Sequence, residues 1–213
     1  MGSPHWPLSE LEVRTPRLTL RYLDDDLADE LVRVAAKGVH DPATMPFSIP
    51  WTDLPSPQME QEALRFYWTS RATTRPDAWR LLHAVIVDGD VVGACDLMAT
   101  EFPALRQFET GSWLGLEHQR QGIGTEMRLA ALTLGFDGLD AEIATTGLWA
   151  DNAASLGVTT SLGYEPSGRR RALRRGAPDE LIGFHMDRAH WATLRRTDIT
   201  LHGLEPARTF LGL

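Results

Sequence analysis

Cysteine is almost missing from this chain of 213 residues, and the single Cys95 excludes both an intramolecular disulfide and a cysteine metal cluster. The seven histidines are scattered without a His-x-x-x-His pair, so the sequence gives no support for a metal site. No apolar run approaches the roughly 18 residues that a membrane helix needs. The first residues also lack the basic and apolar regions of a signal peptide. These absences predict a cytoplasmic protein that uses neither a metal nor a membrane.

Basic residues are fewer than acidic ones, with 21 Lys and Arg against 29 Asp and Glu and a net charge of −8. Broad binding to a phosphate backbone needs clustered basic residues, so a nucleic-acid partner is not expected. The exception is Arg169-Arg-Arg-Ala-Leu-Arg-Arg175. This run has two interpretations: a solvated loop, or a basic patch that faces the adenosine phosphate of a ligand or an anionic substrate.

Hydrophobic periodicity predicts the secondary structure of most of the chain. Strand patterns occupy residues 17–23, 80–87, 91–99, 107–116, 142–149 and 181–186. Helical patterns occupy residues 24–37, 58–73, 125–136 and 152–162. We therefore expect an α/β fold in a single domain, with a mixed, mostly antiparallel central sheet flanked by helices. This domain should span residues 1–188, and residues 189–213 form a C-terminal extension that the patterns do not place.

A glycine-spaced loop, Gln119-Arg-Gln-Gly-Ile-Gly-Thr125, joins a predicted strand to a predicted helix. Gly122 and Gly124 allow the backbone to turn tightly and to approach a ligand closely. The helix that follows offers unpaired N–H groups and the positive end of its dipole, which favours an anion such as a pyrophosphate. A Walker loop is excluded because no lysine follows Gly124, and Met127 stands where the dinucleotide motif needs its third glycine.

Three further segments flank this loop: Glu109-Thr-Gly-Ser-Trp-Leu-Gly-Leu before it, and Asp151-Asn-Ala-Ala-Ser and Ser161-Leu-Gly-Tyr after it. In this order they resemble the GNAT superfamily of N-acetyltransferases, and specifically its RimJ/RimL-like branch. The first-strand run that starts at Arg14 is also similar to that branch. The resemblance implies an acyl-CoA-dependent N-acyltransferase that moves acetyl from acetyl-CoA to a primary amine by direct attack in a ternary complex. The amine would belong to a small molecule or to a protein N-terminus.

The resemblance also implies which residues bind acetyl-CoA. Backbone N–H groups of the loop would hold the pyrophosphate while the Gln119 side chain braces it. The backbone of the preceding strand would pair with the pantetheine arm and stabilise charge on the thioester carbonyl. The expected set is Leu114, Leu116, Gln119, Arg120, Gln121, Gly122, Ile123, Gly124, Thr125, Asn152 and Ser155.

The resemblance implies that Glu109 is the general base, because several members of the superfamily keep a catalytic carboxylate at this position of the strand. A carboxylate facing an apolar cleft would have the raised pKa that a base needs near neutrality. The alternative is a solvent-facing glutamate at a strand end, with Glu101 and Asp96 as substitutes for the catalytic role. The resemblance implies that Ser155 donates a proton to the leaving thiolate, because RimL-like members keep a serine at this place. The alternative is helix capping, since serine is ordinary in a first helical turn and Asn152 is a good helix cap. Thr159 stands where many members have a tyrosine, so water is a second candidate for the donor.

The resemblance also implies that the acceptor binds at the proline-rich loop of residues 40–57, because loops at this place line the acceptor side of the cleft in the family. Met45, Phe47, Trp51 and Asp53 could hold an apolar amine with a carboxylate near its ammonium, or the aromatic residues could simply pack over the second helix. Two other functions stay open. One is an acyl-CoA-binding regulatory module without turnover, and the other is an aminoacyl-tRNA-dependent acyltransferase on the same fold. The sequence does not decide whether the protein forms a homodimer.

Overall fold

A computed structural model describes residues 5–213. They form one sheet of nine strands in the order β7-β8-β6-β5-β4-β3-β2-β1-β9. All neighbouring strands in this described part are antiparallel except β5 and β6. The strands are β1 (Glu12–Arg14), β2 (Leu18–Tyr22), β3 (Ala78–Val87), β4 (Asp90–Thr100), β5 (Gln107–Leu114), β6 (Ile143–Trp149), β7 (Glu165–Arg174), β8 (Ala177–Asp187) and β9 (Thr200–His202). The predicted α/β fold with a mostly antiparallel sheet is confirmed.

Seven α-helices flank the sheet within the same residues: α1 (Asp25–Ala36), α2 (Gln58–Thr73), α3 (Phe102–Leu105), α4 (Ile123–Leu132), α5 (Ala153–Ser161), α6 (Arg188–Leu194) and α7 (Leu204–Leu211). The helix α1 begins after Asp24, whose side chain accepts a hydrogen bond from the Leu27 N–H. The helices α1 and α2 pack on one face of the sheet, and α4 packs on the other. We call these the α1/α2 face and the α4 face.

Alternation along the central strands assigns side chains to the two faces. Leu82, Ala94 and Trp113 belong to the core under α1 and α2. Cys95 and Leu114 belong to the larger core under α4. Neighbouring residues on each strand therefore face opposite sides of the sheet. Side chains on the α4 face lie on the same side as the helix that follows the glycine loop, and those on the α1/α2 face lie on the other side.

The structure adds one strand that the sequence patterns did not predict. A hairpin places β7 beyond β8, so residues 169–174 of the arginine run lie in a strand and Arg175 lies in the turn. Most side chains of β7 are exposed on both faces, so its sequence lacks the alternation of polar and apolar residues that predicts a strand. The predicted helix of residues 125–136 also differs, because α4 starts at Ile123 and gives way to a π-helical segment, Thr133–Gly138.

Residues 189–213 pack onto the same sheet. The strand β9 pairs with β1, and α7 packs against a short 3-10 helix at Pro7–Glu10. Ala207 and Leu211 of α7 are fully buried in the α4-face core. Within the described residues no helix is both long and apolar enough to cross a bilayer.

Candidate active site

The strands β5 and β6 pair over only three residues each and then stop pairing. Gln107–Glu109 lie opposite Ile143–Thr145, while β5 continues to Leu114 and β6 to Trp149. The last link is a hydrogen bond from the Thr146 hydroxyl to the Thr110 carbonyl at 3.3 Å. A gap therefore opens between the two strands, closed at Thr110 and open toward the glycine loop that follows Leu114.

The edge of β5 that faces this gap carries main-chain groups without a strand partner. The Gly115 N–H donates to the Val92 carbonyl of β4. Main-chain groups of successive strand residues point in opposite directions, so every second residue before Gly115, starting with Leu114, points its N–H and C=O groups away from β4. Ser112 and Leu114 accordingly direct their N–H groups into the gap. An extended ligand with amide groups can pair with such an edge as an added strand.

The glycine loop is held in a tight conformation at the start of α4. Arg120 and Gly122 have φ angles of 60° and 78°, in the left-handed region that favours glycine. The Gln119 side chain donates to the carbonyls of Val39 at 2.8 Å and Leu114 at 2.9 Å, which ties the loop to the end of β5. The first N–H groups of α4 have no partner within the helix and point to the loop side.

The remaining loop residues have distinct surroundings. Arg120, Gln121 and Gly122 are exposed, and Ile123 is buried in the core. A Cβ on Gly124 would lie 4.0 Å from Leu114 of β5 and 3.6 Å from Val158 of α5, so this glycine faces the space between those two elements. Thr125 is half-buried in the first turn of α4.

Leu116 is placed differently from the expected pantetheine contact. It starts a 3-10 helix, Leu116–His118, and its N–H already donates to the Gly38 carbonyl at 3.1 Å. Its side chain is largely exposed. The strand ends at Leu114 because Gly115 turns the chain toward α1, which leaves Leu114 and Ser112 as the β5 residues facing the gap.

An ion pair under the loop, between a half-exposed arginine and a buried glutamate, was not anticipated from the sequence. Arg17 of the β1–β2 turn binds Glu126 of α4 at 2.5 Å and donates to the Gln121 carbonyl at 3.1 Å. The Thr15 hydroxyl also donates to Glu126, at 2.6 Å. Burial alone would raise the pKa of Glu126, but these hydrogen bonds hold it below its usual value. Arg17 was visible in the sequence, but its partner Glu126 lies 109 residues away.

Glu109 lies at the closed end of the gap, on the α1/α2 face. It is opposite Met98 of β4 and Thr145 of β6, and Thr145 is opposite His185 of β8. Surrounding protein raises the pKa of Glu109, and the negative charge of Asp96 raises it further, against the opposing charges of Arg80 and Arg170. The side chain still reaches solvent. This combination gives a carboxylate that is accessible and more basic than usual.

The two substitutes for Glu109 have other surroundings. Asp96 is buried and forms an ion pair with Arg80, and burial raises its pKa against that pairing. Glu101 lies exposed in the turn between β4 and α3, with a left-handed φ of 51°. Neither presents a free carboxylate beside the gap as Glu109 does.

The helix α5 borders the gap on the α4 face. The Asn152 side chain caps this helix by accepting a hydrogen bond from the Ser155 N–H at 3.1 Å. Ser155 is half-buried, whereas Thr159 is fully buried and its hydroxyl has no partner among the described residues. The capping role of Asn152 is therefore present, and it does not prevent contact between this junction and a ligand.

The proline-rich loop is fastened to β6 and β7. Met45 is buried, and its carbonyl accepts from Arg174 at 2.7 Å. Asp53 forms a two-pronged ion pair with Arg175 at 2.7 and 2.8 Å, which lowers the pKa of Asp53. Its carboxylate is thus already engaged. Of the four expected substrate residues, Met45 and Asp53 hold the loop in place.

The two aromatic residues of that loop continue toward β5. Phe47 and Trp51 lie 5.3 Å apart between ring centres, and Trp51 lies 5.9 Å from Trp113 of β5. The Trp149 indole N–H of β6 donates to the Phe47 carbonyl. These contacts put an aromatic wall over the α1/α2 face of the sheet where β5 and β6 diverge.

The arginine run divides its charge among several acidic partners. Arg169 binds Glu180, Arg174 binds Asp151 and Asp179, and Arg175 binds Asp53. Arg174 also lies over the Trp149 ring at 5.2 Å. The run therefore fastens the hairpin to its neighbours, which limits its charge for a separate anionic ligand.

Comparison with known proteins agrees with this architecture. Residues 17–165 match the family model of the acetyltransferase (GNAT) domain, which is well over half of the chain. The chain belongs to the GNAT acetyltransferase family. It is an N-acetyltransferase by family, and the resemblance seen in the sequence is confirmed.

Solved structures with the same fold include RimJ from Mycobacterium smegmatis in complex with CoA-disulfide, with a TM-score of 0.71 and 19% identity over 88% of this chain and 91% of that one. RimL, the ribosomal L7/L12 alpha-N-protein acetyltransferase in complex with coenzyme A, gives 0.66 and 16% over 81% and 95%. MccE, the microcin C7 self-immunity acetyltransferase in complex with acetyl-CoA and AMP, gives 0.65 and 15% over 81% and 93%. At these identities the likeness shows the fold, and the roles of individual residues need their own argument.

Proposed function

We propose that this GNAT protein transfers acetyl from acetyl-CoA to a primary amine of a small molecule or a protein N-terminus, by direct attack in a ternary complex. The observation that supports this proposal most directly is the gap between β5 and β6, which opens at the glycine loop and ends beside Glu109. One path through the sheet thus joins an anion site to a basic carboxylate. The amine-binding side and the donor-binding side lie on opposite faces of the sheet.

The donor side has the groups that acetyl-CoA needs. Unpaired N–H groups at the start of α4 and the loop from Gln119 to Thr125 would hold the pyrophosphate. The free edge of β5 at Ser112 and Leu114 would pair with pantetheine amides and donate to the thioester oxygen. Asn152 and Ser155 border the same path from α5. The distribution of these groups fits a co-substrate that lies along the gap with its thioester toward the closed end.

The chemistry assigned to the protein is proton transfer and charge stabilisation. As the amine nitrogen bonds to the carbonyl carbon, Glu109 accepts a proton from the nitrogen, directly or through water. The N–H groups of β5 stabilise the negative charge on the carbonyl oxygen. When the carbon–sulfur bond breaks, Ser155 or water returns a proton to sulfur. A raised pKa suits Glu109 to this task, because a base must hold the proton that it removes.

The acceptor side is the α1/α2 face beside Phe47, Trp51 and Trp113. An aromatic wall favours an amine with an apolar body. Asp53 is assigned an indirect role, since its ion pair with Arg175 positions the loop that carries Phe47 and Trp51. RimL is described as acting on a ribosomal protein N-terminus, and such an N-terminus is one member of the acceptor class proposed here. The acidic surface and the paired arginines favour this class over an aminoacyl-tRNA.

Replacing Glu109 tests the proposal. Glu109→Gln keeps the shape of the side chain and removes its basicity, which typically lowers the rate about 10²- to 10⁴-fold. Turnover is followed by release of free CoA thiol with panels of amino acids, polyamines, aminoglycosides and N-terminal peptides. The wild-type rate should fall on acidification with a midpoint above the usual pKa of glutamate, and Glu109→Gln should lose this limb while its KM for acetyl-CoA barely moves.

Glu101→Gln is the matched control, because Glu101 lies exposed in a turn away from the gap. It should retain wild-type turnover and its acidic limb. Turnover above half of wild type in Glu109→Gln would move the role to Asp96 or bulk water, and to Glu101 only if Glu101→Gln lost activity. Tight CoA binding by the wild type without turnover on any amine would instead indicate a regulatory acyl-CoA-binding module.

A further inference from the structure

A guanidinium lies buried beneath the gap between β5 and β6. Arg128 of α4 is only 4% exposed, and its Nε and Nη1 groups have no hydrogen-bond partner among the described residues. Its Cζ atom lies 5.9 Å from the ring centre of Tyr164, whose hydroxyl is also buried without a partner. A guanidinium keeps its charge at any physiological pH, and burying it is costly unless an anion is near.

The helix geometry places Arg128 on the donor side of the active site. Arg128 follows Gly124 by four residues, so the two lie on one face of α4 about 6 Å apart along the helix axis. Gly124 faces the space between Leu114 of β5 and Val158 of α5. The Arg128 side chain therefore starts from the same face, one turn further from the loop that would hold the pyrophosphate.

Electrostatics and register place the guanidinium near the middle of β5. Burial raises the pKa of the Cys95 thiol to about 12, and the positive charge of Arg128 opposes this rise. Cys95 lies opposite Ser112 of β5, on the α4 face, and the Ser112 main chain faces the gap. Arg128 is thus charged and close to the part of the gap that lies between Leu114 and its closed end.

The neighbours of Arg128 leave its charge incompletely balanced. Burial raises the pKa of Asp96, and the charges of both Arg80 and Arg128 oppose the rise. Asp96 is already the ion-pair partner of Arg80 on the other face of the sheet. Cys95 stays a neutral thiol near pH 7, and Tyr164 offers the face of its ring. One carboxylate therefore serves two guanidiniums, and Arg128 favours a further anion in the ground state.

We propose that Arg128 binds a carboxylate at the end of the acyl chain, so that the enzyme also accepts acyl-CoA donors of the dicarboxylic class, with succinyl as the reference case. This inference rests on the proposed function for the path of the co-substrate. The leaving thiolate is a weaker candidate, because it exists only transiently and cannot offset the burial of a permanent charge. The reaction is otherwise unchanged: the amine nitrogen bonds to the thioester carbon, sulfur leaves with the bonding electrons, and the nitrogen's proton passes to Glu109.

The test compares succinyl-CoA with butyryl-CoA, whose acyl groups have the same four-carbon backbone and differ in the terminal carboxylate. Calorimetric titration of the wild-type protein should show at least tenfold tighter binding of succinyl-CoA, which is about 1.4 kcal/mol. Arg128→Met has a similar volume without the charge, and the Nε and Nη1 groups that it removes have no hydrogen-bond partner among the described residues. Its preference should fall to about equal binding, while Arg128→Lys should keep part of the wild-type ratio.

Equal binding of the two thioesters by the wild type would overturn the inference, whether or not the variants fold. An unchanged ratio in a folded Arg128→Met protein would overturn it as well, and would leave Arg128 as a packing partner of Tyr164. Thiol release from acetyl-CoA separates this result from the proposed function. Acetyl turnover without a succinyl preference refutes only the carboxylate site, whereas a succinyl preference in binding without turnover of any thioester refutes only the acyl transfer.

Discussion

Gly122 offers a quantitative test of the phosphate loop. Its φ of 78° lies in the left-handed region, where an L-residue costs roughly 1–2 kcal/mol. A Cβ there would also lie 3.2 Å from the Arg17 guanidinium that holds the loop to α4. Gly122→Ala should therefore cost stability and also shift the backbone N–H groups of the loop away from the position that the phosphates would take. We expect acetyl-CoA affinity to fall at least tenfold, about 1.4 kcal/mol.

Gly176 supplies a control with the same backbone cost. It has the same φ of 78° in the β7–β8 turn, and an added Cβ there would meet no atom within 4 Å. Both alanine variants should lose similar stability, with a fall in Tm of about 2–4 °C per kcal/mol for a protein of this size. Only Gly122→Ala should bind acetyl-CoA more weakly in calorimetric titration. Equal affinity of the two folded variants would show that the loop does not hold the pyrophosphate.

Three other predictions concern separate contacts. Ser155→Ala should slow turnover substantially while Thr159→Val stays nearly silent in the thiol-release assay, and the opposite ranking would assign the proton donor to Thr159. The pKa of Glu126 is lowered in the folded protein, so its contribution to stability is present above its unfolded pKa and is lost as pH falls through the folded pKa. Glu126→Gln should therefore flatten the acid limb of a curve of Tm against pH, and an unchanged limb would contradict this. Arg175→Gln frees Asp53 and loosens the proline-rich loop, so the KM for the amine should rise while the affinity for acetyl-CoA stays constant. If only the affinity for acetyl-CoA changed, an acceptor role for this loop would be contradicted.

The glycine loop and the start of α4 were predictable because their signals are local. The spacing of Gly122 and Gly124 follows from the backbone angles and helix start that the loop needs, and these involve only neighbouring residues. The mainly apolar runs of residues 80–87 and 91–99 also predicted the strands β3 and β4. Leu116 shows the limit of such reading, since its N–H is taken by Gly38 of a distant segment.

The parts that escaped prediction depend on partners far along the chain. The strand β7 has almost no buried side chain, so only its pairing with β8 defines it. Arg17 and Glu126 are 109 residues apart. Nothing in the sequence around Asp53 indicated that its carboxylate would form an ion pair with Arg175. A single sequence shows which residues could form ion pairs, but the choice among them is made by the tertiary fold.

The pairing of Arg17 with Glu126 also bears on how an acidic protein can bind a highly charged co-substrate. A carboxylate in the first turn of α4 would repel the phosphates that the helix N-terminus attracts. The Arg17 guanidinium neutralises that carboxylate and stays half-exposed next to Gly122 and the Gln121 carbonyl. The local field at the loop is therefore set by the helix N–H groups, Arg17 and Arg120, and not by the net charge of −8. Because this positive field is local, added salt should weaken binding of acetyl-CoA to the loop even though the whole protein is acidic.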